Sequence, residues 1–397
     1  MAFRSLEQVG DLHGKRALVR VDFNVPVENG AASDDTRLRA ALPTIRALSL
    51  KGAKVALLAH FDRPKGKRVP AMSLKFLVEP MSALLEQPVA WADDCVGADA
   101  EAVVAGLEPG GVALLENLRF HAGEEANDPA FVEQLARLGD IYVDDAFSAA
   151  HRAHASTEGL ARRLPAYAGL SMQLELDALE AALGSPKRPV LGIVGGSKVS
   201  TKLDLLKNLV GKLDRLAIGG GMANTFLVAA GNEVGASMCE ADMAGTVREI
   251  IALAKQAGCE LLLPVDLVVA RDLKPGAEFR ICGLDEVGPE DKIFDAGPKS
   301  VEKLKAAMDA SATLIWNGPL GVFEVPPFDK ATVDAARHAA ALVKAGKLVA
   351  VAGGGDTVAA MHAAGVAGDL THVSTAGGAF LEWMEGKTLP GVAALEV

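Results

Sequence analysis

Short apolar runs recur along this chain, and most of them end in glycine or in charged residues. They include "RALVRVDF", "KVALLAH", "GVALLEN", "IYVDDAF", "PVLGIVGG", "RLAIGGG", "ELLLPVDLVVA", "TLIWNGPL" and "KLVAVAGGG". They are rich in Val, Leu and Ile, and several do not alternate with polar residues. That is the pattern of strands covered on both faces. Between the runs, Leu203, Leu206 and Val210, or Val333, Ala336, Ala340 and Val343, fall on one face of a helix. Strands alternating with helices imply parallel sheets, because a parallel pair needs a long crossover that a helix supplies. The runs outnumber the strands of one ordinary sheet. The expected fold is therefore α/β, with two doubly wound parallel-sheet (Rossmann-like) domains. Aromatic residues make up only 5% of the chain, so the cores must be built from Ala, Val and Leu.

The segment "SMQLELDALEAALGSPKRP" marks the expected boundary. Met172, Leu176, Leu179 and Leu183 lie at i, i+4, i+7 and i+11, one helix face. Gly184 suits a helix C-terminus, and Pro186 and Pro189 prevent continuation. The spacing predicts a connecting helix over 171–185 between a domain at 1–170 and a domain at 186–387. An ordinary surface helix within one domain would show the same pattern.

Charge and cysteine content exclude several classes. The net charge of −11 argues against general affinity for nucleic acid, though not against a local basic pocket. The four cysteines, Cys95, Cys239, Cys259 and Cys282, form no C-x-x-C pair and no cluster with histidine in the sequence. Reduced thiols in a cytoplasmic protein fit better than a zinc site or a disulfide framework. Neither a signal-peptide core nor an apolar run of membrane-spanning length is present.

Open parallel sheets bind ligands beyond the carboxyl ends of their strands, so the residues after each run carry the functional signal. In the first half they are Asp22, Phe23 and Asn24 after "LVRV"; His60, Asp62 and Arg63 after "VALLA"; Arg119 after "VALLEN"; and His151, Arg152 and His154 after "IYVDDAF". Arg37 sits in the loop-like "NGAASDDTRLRA", and five of the eight histidines precede residue 155. One such arginine would be merely solvated. Several loops delivering Arg and His to one sheet edge indicate a converging anion site, since the guanidinium fork suits phosphate and carboxylate oxygens. Asp22 and Asn24 would orient a hydroxyl, and His151 and His154 would add positive potential. A metal triad of His60, His151 and His154 is a weaker alternative. A serine hydrolase lacks its G-x-S-x-G elbow.

The second half offers glycines and lysines. In "GIVGGSKVSTKLDLLKNLV", Gly195 and Gly196 would let backbone N–H groups approach phosphate before a helix N-terminus. Lys198 and Lys202, four apart, would share one helix face. "GGGMAN", "GGGDT" and "STAGG" repeat the small-residue turn. Together these turns indicate a nucleotide site, although none fits the Walker A or G-x-G-x-x-G pattern. Asp356 is a candidate Mg²⁺ contact and Glu324 a candidate ribose ligand.

The segments "VRVDFNVP", "AHFDRPKG", "ENLRFHAGEE", "DDAFSAAHRAHAS", "GGSKVSTK", "GGGMANTFL", "WNGPLGVFE", "GGGDT" and "STAGGAFLE", in this order, resemble the signature segments of the phosphoglycerate kinase family. The resemblance implies two domains across a cleft, with residues 388–397 returning to the first. It implies 3-phosphoglycerate or 1,3-bisphosphoglycerate on the first half, held by Asp22, Phe23, Asn24, Arg37, His60, Phe61, Asp62, Arg63, Arg119, His151, Arg152 and His154. It implies ADP or ATP, with Mg²⁺ on Asp356, on the second half. The nucleotide residues would be Gly196, Lys202, Gly219, Asn317, Glu324, Gly354, Gly355, Asp356 and Thr357. Arg37, Lys198, Lys202 and Gly378 would surround the transferring phosphoryl group. The resemblance also implies a monomer, and the reduced thiols point to the cytoplasm. Joining two substrates away from water predicts hinge movement at the ends of the 171–184 helix and near Gly318 to Gly321. The family often has Gly where Asp62 sits, Ala for Ser197, Asp for Thr201, Gly for Ala376 and Ser for Phe380. If the turn at Ala376 requires a positive φ, alanine is strained there.

Two other classes remain open. A nicotinamide-dependent dehydrogenase would need the missing G-x-G-x-x-G, and a non-catalytic binding protein would need neither Mg²⁺ nor paired lysines.

Overall fold

A computed structural model describes residues 3–396 of the chain. The chain divides into two compact units, Met1–Leu176 with Thr388–Val397, and Asp177–Lys387. Residues 1, 2 and 397 of the expected first domain lie outside the described residues.

The first unit is built on a six-stranded parallel sheet. Its strands run in the spatial order Val89–Ala92, Val112–Leu115, Lys54–Leu58, Arg16–Arg20, Ile141–Asp144 and Ala166–Ala168. The order reverses direction at Arg16–Arg20, which pairs with Lys54–Leu58 on one side and Ile141–Asp144 on the other. The second unit repeats the design with Glu260–Leu262, Arg215–Ile218, Val190–Val194, Thr313–Asn317, Val349–Gly353 and His372–Ser374. In chain order within the unit that is 3-2-1-4-5-6, the doubly wound order, and it switches between Val190–Val194 and Thr313–Asn317. Every residue of these two strands is buried, so the unbroken apolar runs are strands covered on both faces.

The run "ELLLPVDLVVA" is not one strand. Pro264 cannot donate to a ladder and interrupts it. Glu260–Leu262 ends the parallel sheet, and Asp266–Ala270 becomes the centre of a separate antiparallel sheet with Phe279–Gly283 and Lys292–Ala296. The helix Leu170–Leu179 continues as a widened turn at Glu180–Gly184. Its residues Met172, Leu176, Leu179 and Leu183 are all buried. At the other end of the chain, Gly391 packs on Ala150 and donates its N–H to the Ala150 carbonyl at 2.9 Å. No described helix is long and apolar enough to cross a membrane.

Candidate active site

The switch point of the first sheet gathers the cationic loops. A cavity of about 300 Å³ is lined by Asn24, His60, Asp62, Arg63, Arg119, Glu125, Ser148, His151, Arg152 and His154. These residues come from the ends of four different strands, and the doubly wound order places those ends side by side. Arg37 is held next to them. Its Nη1 donates to Asp22 Oδ1 at 2.9 Å and to the Asn24 carbonyl at 2.8 Å. The second Asp22 oxygen accepts from Ser148 Oγ at 2.6 Å. Asn24 Oδ1 accepts the Asp62 N–H at 2.9 Å. Arg119 Nη1 donates to the Asp62 carbonyl at 2.9 Å, and Arg119 Nε stands 3.4 Å from Glu125. The loops therefore brace one another through main-chain contacts while leaving guanidinium groups facing the cavity.

Three placements differ from the sequence reading. Phe23 is fully buried in the core, and Phe61 packs edge-on against Phe76 at 5.4 Å. Their side chains are occupied with packing, so only their main chain remains for a ligand. His154 does not add positive charge. Burial, then the charges of Arg119, Arg20, Arg152 and His151, push its pKa down to about 4. His60 is lowered well below its ordinary value, first by burial and then by Arg20, Arg119, His154 and Arg37.

Arg20 was not apparent in the sequence as a site residue. It lies within the strand Arg16–Arg20 and is almost fully buried. Its guanidinium donates to His60 Nδ1 at 2.8 Å, to Ser156 Oγ at 2.9 Å and to the Val21 carbonyl at 2.5 Å. Arginine can only donate, so His60 Nδ1 must accept and the imidazole proton resides on Nε2. Ser156 passes the network to buried Glu124, donating from its N–H at 3.0 Å and its Oγ at 2.5 Å. The only sequence signal for Arg20 is a charge following the apolar run Ala17–Val19 and preceding Val21. Asn117 is a second such residue. Its side chain exchanges hydrogen bonds with both main-chain groups of Phe61 and accepts the Arg119 N–H at 3.0 Å, fixing both loops.

In the second unit the corresponding place is the junction of Val190–Val194 with Thr313–Asn317. Lys202 Nζ donates to the Gly195 carbonyl and to Asn317 Oδ1, both at 2.6 Å. It therefore sits on the switch point itself. Burial, partly opposed by the charge of Asp356, lowers its pKa to about 8. Lys198 does not share a helix face with it. The helix begins at Leu203 after a tight turn at Ser200–Lys202, and Lys198 is exposed in the preceding loop. Asn317 Nδ2 reaches the Gly353 carbonyl at 2.7 Å, and Thr357 Oγ1 accepts the Gly318 N–H at 2.7 Å. Two glycines make the junction possible. Gly318 has φ +98°, and a Cβ there would collide with Gly195, while a Cβ on Gly195 would collide with the Pro319 carbonyl.

Beside this junction lies a cavity of about 570 Å³, lined in part by Gly196, Gly220, Gly221, Asn224, Glu324 and Asp356. Leu267, Ile293 and Phe294 of the antiparallel sheet supply an apolar wall that the sequence reading did not contain. Gly219 immediately precedes the helix Gly220–Ala229, and Gly354 precedes Gly355–Ala363, whose first turn carries Asp356 and Thr357. At the "STAGG" turn, Ala376 has φ −84° and Gly377 carries the positive φ of +32°, so the alanine is unstrained. Gly378 is in the first turn of Gly377–Met384. Asp62, where the family often has glycine, does adopt a left-handed φ of +53°, which aspartate tolerates better than most residues.

Among known proteins, the model of the family described as phosphoglycerate kinase matches residues 6–387. A phosphoglycerate kinase of a Caulobacter species is 74% identical over 397 residues, covering all of both chains. That of Caulobacter vibrioides is 72% identical over 396 residues, again with full coverage. The solved phosphoglycerate kinase of Coxiella burnetii superposes with a TM-score of 0.93 at 40% identity, over 99% of each chain. Motif order, sheet topology and full-length identity agree: this chain belongs to the phosphoglycerate kinase family.

Proposed function

We propose that the chain transfers the acyl phosphoryl group of 1,3-bisphosphoglycerate reversibly to ADP, giving 3-phosphoglycerate and ATP. The observation that carries this reading is the complementary chemistry of the two switch points. One presents Arg63, Arg119 and Arg152 around a small polar cavity. The other presents Lys202 and glycine turns beside a larger cavity with an apolar wall. The first suits a compact phosphorylated acid. The second suits a nucleotide whose base needs apolar cover and whose phosphates need N–H groups and a cation.

In the ATP-forming direction an oxygen of the terminal ADP phosphate attacks the acyl phosphorus. The bond to the carboxyl oxygen breaks, and the carboxylate leaves. Neither nucleophile nor leaving group requires a proton near pH 7, since carboxyl pKa values lie near 4. The protein's task is positioning and charge neutralisation. Arg37, Lys198, Lys202 and the main chain at Gly378 are assigned to the transferring group. Asp22, Asn24, His60, Asp62, Arg63, Arg119, His151, Arg152 and His154, with the main chain of Phe23 and Phe61, are assigned to the glycerate substrate. Gly196, Gly219, Asn317, Glu324, Gly354, Gly355 and Thr357 are assigned to the nucleotide. His60 and His154 serve as neutral hydrogen-bonding groups, which leaves the substrate's charge to the arginines.

Asp356 fits a Mg²⁺ ion carried by the nucleotide. It is an exposed carboxylate lining the larger cavity in the first turn of the helix Gly355–Ala363, and Mg²⁺ on nucleotides takes one or two carboxylates besides phosphate oxygens and water. Such an ion would neutralise phosphate charge. Bringing both substrates together without water requires hinge closure, assigned to the ends of the 171–184 helix and the segment Gly318 to Gly321. The enzyme is taken to work as a cytoplasmic monomer.

A coupled assay of ATP-dependent phosphorylation of 3-phosphoglycerate tests the reading. Arg37→Ala and Lys202→Ala should each lower turnover by about a hundredfold or more with the fold intact. Near-native rates in both variants would remove these site assignments. Small-angle scattering should show compaction only when both substrates are present.

A further inference from the structure

One cluster of coordinating side chains has no part in either cavity. Asp94, Cys95 and His121 of the first unit each offer one ligand atom, and the three atoms lie within 4.8 Å of one another. His121 Nε2 stands 2.6 Å from Asp94 Oδ1. Cys95 is fully buried, whereas the Asp94 and His121 side chains are 37% and 32% exposed. An ion can therefore approach from solvent on the carboxylate and imidazole side and meet the thiol beneath. The imidazole is oriented by stacking on Phe131, with ring centroids 5.1 Å apart.

In tetrahedral zinc sites, bonds of about 2.0 to 2.3 Å place ligand atoms about 3.2 to 3.8 Å apart. The Asp94–His121 pair, 2.6 Å apart, must open by roughly half an ångström. The 4.8 Å bound on the other separations leaves the sulfur at most about an ångström outside that range. We propose that Asp94, Cys95 and His121 form a three-ligand site for a thiophilic divalent cation of the zinc class, with a further position open to water. A set of thiolate, imidazole and one carboxylate selects such an ion over Mg²⁺, which prefers oxygen ligands and octahedral geometry.

On binding, the Cys95 S–H bond breaks. The proton leaves to solvent, and the freed electron pair forms the sulfur–metal bond. The hydrogen bond between Asp94 and His121 is exchanged for two metal bonds, with any imidazole proton moving to Nδ1.

The position gives the site a consequence. His121 directly follows the turn Leu118–Phe120, which carries Arg119, and precedes the short helix Ala122–Glu125. Glu125 is the carboxylate beside Arg119, and Glu124 is the acceptor for Ser156. A bound ion fastens the segment carrying Arg119 to Asp94 and Cys95.

The test is a Co²⁺ titration of the full chain, freed of metal by a chelator and kept reduced without thiols. One equivalent should bind with a near-ultraviolet thiolate-to-cobalt charge-transfer band. Equimolar Zn²⁺ should displace it, and millimolar Mg²⁺ should not. Cys95→Ser should lose the band, while His121→Gln and Asp94→Asn should each weaken binding by about tenfold or more. Absence of the band in the wild type would overturn the proposal. So would its survival in Cys95→Ser, which would assign it to Cys239, Cys259 or Cys282. If Cys95→Ser does not fold, unchanged affinity in both His121→Gln and Asp94→Asn refutes the site by itself.

Discussion

Replacing Asp145 by asparagine should change how the stability of the first unit depends on pH. Asp145 follows the strand Ile141–Asp144 and is 5% exposed. Its Oδ1 accepts the N–H groups of Ser171 at 2.8 Å and Met172 at 3.1 Å, at the start of the helix Leu170–Leu179. Burial raises its carboxyl from 3.8 to about 7, outweighing the hydrogen bonds from Thr44, Met172 and Ser171. A raised pKa means that the folded state holds the proton more tightly than the unfolded chain. The associated stability is fully present below about pH 4 and is lost as pH rises through 7. Roughly three pKa units at about 1.4 kcal/mol each make the whole effect about 4 kcal/mol, of which about 2–3 kcal/mol falls between pH 5 and pH 8. Asparagine keeps the Oδ1 acceptor but has no proton to lose. Asp144, raised to about 6 by burial, titrates in both proteins and largely cancels in the comparison. Urea-dependent hydrogen exchange, read on peptides covering Arg16–Arg20, isolates the first unit from the second. From pH 5 to pH 8 the wild type should lose about 2–3 kcal/mol relative to D145N. An equal difference between the two proteins at both pH values would refute the reasoning.

Three further outcomes are expected. Because the Lys202 ammonium deprotonates near pH 8 in the free protein, ADP affinity measured by calorimetry should fall between pH 7 and pH 9.5. Lys202→Arg should abolish that fall, and the same fall in the variant would assign it to another group. Gly318→Ala forces both a left-handed alanine and a clash with Gly195, so it should cost about 2–4 kcal/mol in chemical denaturation. Gly346→Ala, at φ +67° with nothing nearby, should cost only about 1 kcal/mol. Arg20→Met should raise the His60 pKa as followed by NMR, although burial keeps it below the ordinary value. It should also destabilise the first unit by about 3 kcal/mol or more, and an unmoved His60 titration would remove Arg20 as the group that fixes its proton.

The sheets were legible because burial on both faces leaves an uninterrupted apolar run, as in Val190–Val194 and Thr313–Asn317. The edge strands Val89–Ala92 and Ala166–Ala168 were not, since both are short and only partly buried, which leaves no uninterrupted aliphatic run to mark them. The antiparallel sheet was hidden because Pro264 divides a run whose two halves read alike. Arg63, Arg119, Arg152 and His151 could be placed at one cavity from chain position alone, because the residues after parallel strands share one sheet edge. Arg20 could not. Its role depends on Ser156, 136 residues away, and no local pattern marks that distance. The charge states of His60 and His154 were likewise invisible, since they follow from burial beside arginines brought in by other loops.

The segment 388–396 belongs to the first unit although it is made after the second. The turn Pro390–Ala393 packs against Ala155–Gly159, beside His154, and Phe3 bridges to Glu396. A ribosome therefore releases the second unit as one continuous stretch before the first has received its closing segment. During synthesis, residues 3–176 must wait, incomplete at the wall of their own anion pocket, until the segment from Thr388 onward has been made. Truncation by about ten residues should thus damage the unit farthest away in the sequence, and phosphoglycerate binding should report the loss before nucleotide binding does.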